Sequence, residues 1–247
     1  MVKRLFSGLL VVVAVAATFL ITKPMSVTLF EYFSTTAKTD ATVERMIAKS
    51  PIANTYLAIK TYYPDDAASF RKALKTIMRD GNSGPKIFAK MHAIGAEVRR
   101  KHAHHLRSAP DPALQAILQY QIDLTMAFAD DPLLCNRFIA SGFTPDMASE
   151  TYRIEKLMDQ GVVLFHAMHQ GETAPIQRLP PTDADWGNLG NDFFAKGGSE
   201  ETMSALQAED VKNPAFCAAT IEMMQTITNA QFAGADRIRA EFAALMN

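Results

Sequence analysis

The sequence lacks the short motifs that mark many enzyme and cofactor sites. It contains no GxSxG, no GxGxxG, no Walker loop, no haem-attaching CxxCH and no acidic calcium loop. Each of these motifs sets a nucleophile, a phosphate cradle or a set of ligands in a defined local geometry. Without them, the sequence favours a noncatalytic role over an enzymatic one, and it predicts no specific cofactor.

An excess of charge of one sign is also missing. The chain of 247 residues carries 25 basic and 26 acidic residues, which gives a formal net charge of −1. A nearly balanced charge creates no long-range field that would attract a polyanion. We therefore expect no nucleic-acid partner, and only local clusters of charged residues can indicate a binding surface.

The longest uncharged stretch lies at the N-terminus. Leu5–Thr22 contains 18 residues without a charge, after Lys3 and Arg4. A bilayer-spanning helix needs roughly 20 such residues, so residues 1–23 are predicted to be an export segment. Two interpretations are open: a signal peptide cleaved after the small residues 14–16, or an uncleaved anchor with its basic end in the cytoplasm. Both place the rest of the chain outside the cytoplasm.

Residues 24–38 form a membrane-proximal segment in either case. Phe30, Tyr32 and Phe33 lie a few residues after the hydrophobic run. Aromatic rings favour the headgroup layer, so this segment is predicted either to contact the membrane surface or to pack on the core. The sequence thus predicts a protein tethered to the membrane and facing the extracytoplasmic side, the periplasm in a bacterium, or soluble there after cleavage.

Cysteine is scarce, with only Cys135 and Cys217. The stretches DPLLCNRFI and NPAFCAATI both place the cysteine three residues after a proline, in the predicted first turn of a helix. In an oxidising compartment, an isolated pair is most simply a disulfide. Two alternatives stay open: a reactive thiolate at a helix N-terminus, or two buried free thiols. The absence of CxxC disfavours the first of these alternatives.

Strand-like alternation is absent, and helical spacing is found almost everywhere. Caps, prolines and apolar spacing predict helices over residues 40–49, 51–63, 64–79, 85–107, 110–129 and 199–207, further helices starting near residues 132 and 145, and a last helix over 214–245. The fold class is therefore all-α, a single-domain bundle of about eight helices over residues 39–247. A proline-bearing loop is predicted at 171–187, and Gly234 is predicted to kink the last helix.

Two groups of histidines are the main chemical signal. His102 and His105, like His166 and His169, are three residues apart and so share a helical face. If the two helices lie side by side, these imidazoles provide ligands for a divalent transition metal, oriented by a carboxylate such as Asp159 or Glu172. The alternative is that histidines near helix C-termini cap carbonyls or line the core edge.

The basic run Arg99, Arg100, Lys101 is predicted either to contact anionic headgroups or to form a solvated helix face with Glu97 as counter-charge. Trp186, the only tryptophan, falls in the predicted loop as a contact residue or as an anchor for the loop.

These features predict a noncatalytic binding protein of the cell envelope, whose partner is an envelope protein or a small ligand. The alternative is a metal-dependent enzyme or metal-binding protein built on the paired histidines.

Overall fold

The computed structural model describes residues 40–50, 52–79, 84–141, 151–208 and 210–246. Across these ranges the chain is helical, with no β-strand, which confirms the all-α fold class. The helices are α1 (Asp40–Ala48), α2 (Ala53–Tyr62), α3 (Pro64–Arg79), α4 (Gly84–His102), α5 (Asp111–Met126), α6 (Pro132–Ser141), α7 (Thr151–Thr173), α8 (Asp183–Ala195), α9 (Glu200–Ala208), α10 (Ala215–Asn229) and α11 (Ala235–Leu245). A 3-10 helix, Ala103–Ser108, follows α4.

The predicted number of about eight helices is wrong, since the described ranges contain eleven α-helices. One reason is Gly234, which was predicted to kink a continuous last helix. Its φ of 94° lies in the left-handed region, so the right-handed hydrogen-bond ladder ends before it and α11 begins after it. A Cβ at this position would collide with Asp185 and Arg237, so the site requires glycine.

A second reason is α8, which replaces part of the loop predicted at 171–187. Thr182 caps this helix: its side-chain oxygen accepts the Asp185 amide, and the Asp185 carboxylate accepts the Thr182 amide. This reciprocal capping box starts a helix despite the neighbouring prolines. Because α7 also continues to Thr173, the connection shrinks to residues 174–182.

The chain divides into two compact units. The described part of the first, which we call the N-terminal unit, comprises residues 40–102 and 151–166. In this unit, α2 packs on α1 and α3, and α3 packs on α1 and α4. The core residues there include Ile47, Ile59, Phe70 and Leu74. Burial of these apolar faces stabilises helices that are too short to persist alone.

The second, which we call the C-terminal unit, comprises residues 103–141 and 167–246 of the described chain. Here α10 is central: it packs on α5, α6, α8, α9 and α11. Phe216 and Ile227 of α10, Leu114 of α5 and Phe193 of α8 are fully buried in this core. The predicted helical bundle is confirmed at this level.

Several sequence predictions lie outside the described residues. These are the export segment 1–23, the membrane-proximal segment 24–38 and the start of the helix predicted near residue 145. Within the described ranges, no helix is both long and apolar enough to cross a bilayer. The predicted domain limits stay a prediction.

Candidate functional sites

The predicted disulfide is present. Cys135 in the first turn of α6 and Cys217 in the first turn of α10 are bonded, with their Cα atoms 5.7 Å apart. Their exposed fractions are 0% and 3%, so both sulfurs are shielded from soluble thiols. Burial and the lack of a nearby second thiol are typical of a structural bridge, not of a redox centre.

Asn136 explains how the two helix starts meet, and the sequence reasoning missed it. Its fully buried side-chain amide donates hydrogen bonds to the carbonyl of Val211, at 3.0 Å, and to that of Asn213, at 2.7 Å. These bonds hold the segment before α10 against α6, next to Cys135. A polar residue directly after a buried cysteine was the only signal in the sequence.

His102 belongs to a buried cluster in the N-terminal unit. Its Nε2 lies 2.8 Å from the Oδ2 of Asp66, and its ring stacks on Tyr63 with a centroid distance of 3.7 Å. The other carboxylate oxygen of Asp66 accepts a hydrogen bond from Lys101 at 2.7 Å. Burial alone would raise the pKa of Asp66, but the hydrogen bonds and charges of Lys101 and His102 bring that pKa below its ordinary value.

His166 lies in the same unit but contacts another group. Its Nδ1 is 2.9 Å from the hydroxyl of Tyr62, and its side chain is exposed. Asp159, which was considered as an orienting carboxylate, accepts a hydrogen bond from Asn54 instead. The structure therefore gives His102 and His166 separate partners within this unit.

His105 and His169 fall in the C-terminal unit. His105 is in the 3-10 helix, not in a continuation of α4, and its Nε2 lies 4.0 Å from the Oε1 of Glu172. Its ring also contacts His104, at a centroid distance of 3.9 Å. Gly171 makes this approach of α7 possible, because a Cβ there would collide with the carbonyl oxygen of His105. The metal site stays a prediction.

Trp186 is not in a loop. It lies in the first turn of α8, is only 4% exposed, and contacts Phe242 with a ring-centroid distance of 6.1 Å. Its neighbour Asp185 is bound by Arg237 through two hydrogen bonds of 2.6 and 3.0 Å. These bonds, set against burial and reinforced by the cap from Thr182, lower the pKa of Asp185 to about 2. This carboxylate is therefore ionised at neutral pH and held in a structural role.

Arg178, in the middle of the connection 174–182, binds this segment to neighbouring parts of the C-terminal unit. The guanidinium donates to the carboxylate of Asp236 at 2.9 Å and to the carbonyls of Arg107 and Ala109 at 3.3 and 2.7 Å. Only 6% of its side chain is exposed. A guanidinium with several well-oriented acceptors restrains the backbone that carries it.

The same connection presents apolar side chains to solvent. Leu179 is 75% exposed and Ile176 is 44% exposed, although the amide of Ile176 is fixed by the carbonyl of Ser108 at 2.8 Å. The segment thus combines a restrained backbone with exposed apolar tips. Sequence reasoning located a loop here, but it gave no sign of the Arg178 contacts.

Comparison with known proteins adds no assignment, since no family model, curated protein or solved structure matches this chain. The fold and its bridge define a general class: a disulfide-bonded, all-helical protein of two compact units.

Proposed function

We propose that this protein is an exported, membrane-tethered helical protein that binds a partner protein of the cell envelope through the connection 174–182. The proposal rests on one observation above all: Ile176 and Leu179 are exposed on a segment that Arg178 binds to Asp236 and to the Ala109 carbonyl. An exposed apolar side chain on an already ordered backbone loses little conformational entropy on binding, so it is well suited to a partner's pocket.

The disulfide supports the extracytoplasmic part of the proposal. Buried structural bridges persist in oxidising compartments and are rare where thiols are kept reduced. The bridge Cys135–Cys217 therefore agrees with export directed by residues 1–23.

The state of the carboxylates supports a noncatalytic role. A general acid needs a pKa near the working pH and access to substrate. Asp185 has neither, because it is buried and is bound to Arg237. Asp111, the acceptor of Arg239 in a two-bond pair, is similarly engaged.

Site-specific photocrosslinking in cells of the source organism tests the proposal. A photoreactive amino acid is placed at residue 179 of the full-length chain and, as a control, at residue 57, because Leu57 is a 60% exposed leucine in the other unit. We expect a discrete adduct with one envelope protein from residue 179 and none from residue 57.

An Arg178→Gln variant adds a test of preorganisation. It removes the three side-chain bonds of Arg178 and keeps Ile176, Leu179 and the bond from the Ile176 amide to Ser108. We expect a weaker adduct from residue 179 at unchanged protein level. No adduct at residue 179, or the same adducts from both positions, would contradict the proposal.

A metal-binding function is the second candidate, and the approach of His105 to Glu172 favours it. An imidazole nitrogen and a carboxylate oxygen 4.0 Å apart are placed so that one transition-metal ion would contact both. Elemental analysis of the natively purified protein, with His105→Ala for comparison, tests this candidate. A metal content at background in both proteins rules it out.

A further inference from the structure

The backbone of the connection 174–182 makes few hydrogen bonds to the rest of the described chain. Residues 175–182 belong to neither a helix nor a strand, and within the described ranges the carbonyls of residues 175–181 accept no hydrogen bond. On the donor side, the amide of Ile176 is bound to the carbonyl of Ser108 at 2.8 Å. This run of carbonyls is therefore left for donors outside the described chain.

Proline sets the conformation of the same connection. Pro175, Pro180 and Pro181 each have a ring that fixes φ at about −65°. A residue before a proline is restricted to extended conformations, which applies to Leu179 and to Pro180 itself. Thr182, at the end of the connection, is extended, with φ of −92° and ψ of 166°. Such values are typical of polyproline II, a left-handed helix with three residues per turn and no internal hydrogen bonds.

The burial pattern of the connection repeats every three residues. Arg178 and Pro181 are partly buried, whereas the residues on either side of Arg178 and the two between it and Pro181 are exposed. The side chain of Arg178 is directed to Asp236 of the C-terminal unit. A β-strand would place Ile176 on the same side as Arg178, because its side chains alternate every two residues. The observed period of three is that of polyproline II, with Ile176 and Leu179 on one outward face.

We infer that residues 175–181 form a polyproline II segment, and that the partner binds the face of Ile176 and Leu179 in a groove lined by aromatic side chains. This inference rests on the proposed function and specifies the binding site of the partner. Tyrosine and tryptophan rings fit between the ridges of such a segment, and their O–H and N–H groups donate to its free carbonyls. Because Arg178 and the Ile176 amide already restrain the segment, binding costs little conformational entropy.

A photocrosslinking scan along the full-length chain, in cells of the source organism, tests this inference. The photoreactive amino acid is placed in turn at residues 176, 177 and 179, and adduct yields are normalised to the amount of chain. A period of three predicts high yields from residues 176 and 179, and a yield from residue 177 that is lower by about threefold or more. A strand added to a sheet of the partner has a period of two and would give high yields from residues 177 and 179.

Tandem mass spectrometry of the adducts tests the chemistry of the groove. We expect residues 176 and 179 to be joined to one partner protein, within peptides that contain tyrosine or tryptophan. Pro180→Ala should lower the yield from residue 179 by roughly two- to fivefold, since proline restricts the unbound segment. Gln177→Ala is the matched control, because it shortens an exposed side chain of the same connection and keeps every proline.

The outcomes separate this inference from the proposed function. No protein adduct at residue 179 contradicts the proposed function itself, and adducts with lipid alone contradict both. A protein adduct at residue 179 without the period of three overturns the inference and leaves the proposed function standing. Equal yields from residue 179 in Pro180→Ala and Gln177→Ala, or adduct peptides without an aromatic residue, overturn the inference in the same way.

Discussion

The two units treat charge differently. In the C-terminal unit, Arg237 and Arg239 each form a two-bond pair with a carboxylate, Asp185 and Asp111. In the described part of the N-terminal unit, Asp66 is shared by two cations while Arg99 has no acid. Both units are built from helices of ordinary amphipathic pattern. Their difference teaches that similar helices can pair charge in two ways: one arginine per carboxylate in the C-terminal unit, and carboxylates shared between two cations in the N-terminal unit, where Glu44 also binds both Lys60 and Arg71.

Arg239 illustrates how completely a buried cation of the C-terminal unit is bonded. Its side chain is buried, with 6% exposed, and it bonds Asp111 twice and the carbonyls of Ile227 and Ala230. These acceptors belong to the start of α5 and the end of α10. A buried charge is tolerated because nearly all its donors are satisfied.

The largest expected effect comes from the disulfide, which lies wholly in the C-terminal unit. The double variant Cys135→Ala, Cys217→Ala should lose about 4 to 5 kcal/mol of unfolding free energy on the chain-entropy estimate for a closed loop of this length. Hydrogen exchange read by mass spectrometry should show lost protection in residues 103–141 and 167–246, with residues 40–102 less affected. Reductant should not change the exchange of the double variant. Equal loss of protection in both units would show that the disulfide stabilises them alike, which would contradict the contrast between them.

Close helix packing gives the next effect. Gly171→Ala introduces a Cβ that collides with the backbone of His105, so the variant should lose about 1 to 3 kcal/mol of stability. Gly187→Ala in α8 is the matched control, because no heavy atom of the described chain lies near its added Cβ. That variant should gain roughly 0.5 to 1 kcal/mol from helix propensity. Thermal unfolding measures both changes, and similar melting temperatures for the two variants would contradict the packing argument.

Acid sensitivity gives the smallest effect and sharpens the charge comparison. The folded pKa of Asp185, about 2, is below its ordinary value of 3.8, so its stabilisation is present above about pH 4 and is lost as the pH falls toward 2. The loss amounts to on the order of 2 kcal/mol at most. Asp185→Asn should flatten this pH dependence, as read from chemical denaturation between pH 5 and pH 2. Asp66→Asn should do so less, since Asp66 and its partner Lys101 are more exposed. A larger change in pH dependence for Asp66→Asn than for Asp185→Asn would contradict the comparison between the two units.

The candidate sites were predictable to different extents. The cysteine pair was predicted from sequence and is confirmed, whereas the basic run and the histidine pairs, proposed from residue type and helical period, stay predictions as sites. Arg178 and Asn136 were missed, since each acts through contacts with residues more than 50 positions away in the chain. Trp186 was assigned to a loop because the segment contains three prolines, and the cap formed by Thr182 and Asp185 was not recognised.

The sequence by itself determined the all-helical class and most helix boundaries, because caps, prolines and apolar period act within one or two turns. It also predicted the pairing of Cys135 with Cys217, because these are its only two cysteines. Only the tertiary structure decided which charges are satisfied. It pairs Asp185 with Arg237, and within the described chain it places no carboxylate in an ion pair with Arg99. It also divided the chain into two units and fixed the connection 174–182 with exposed apolar tips. The physical reason is that a partner for a charge or a cover for an apolar side chain comes from distant segments, which local pattern does not encode.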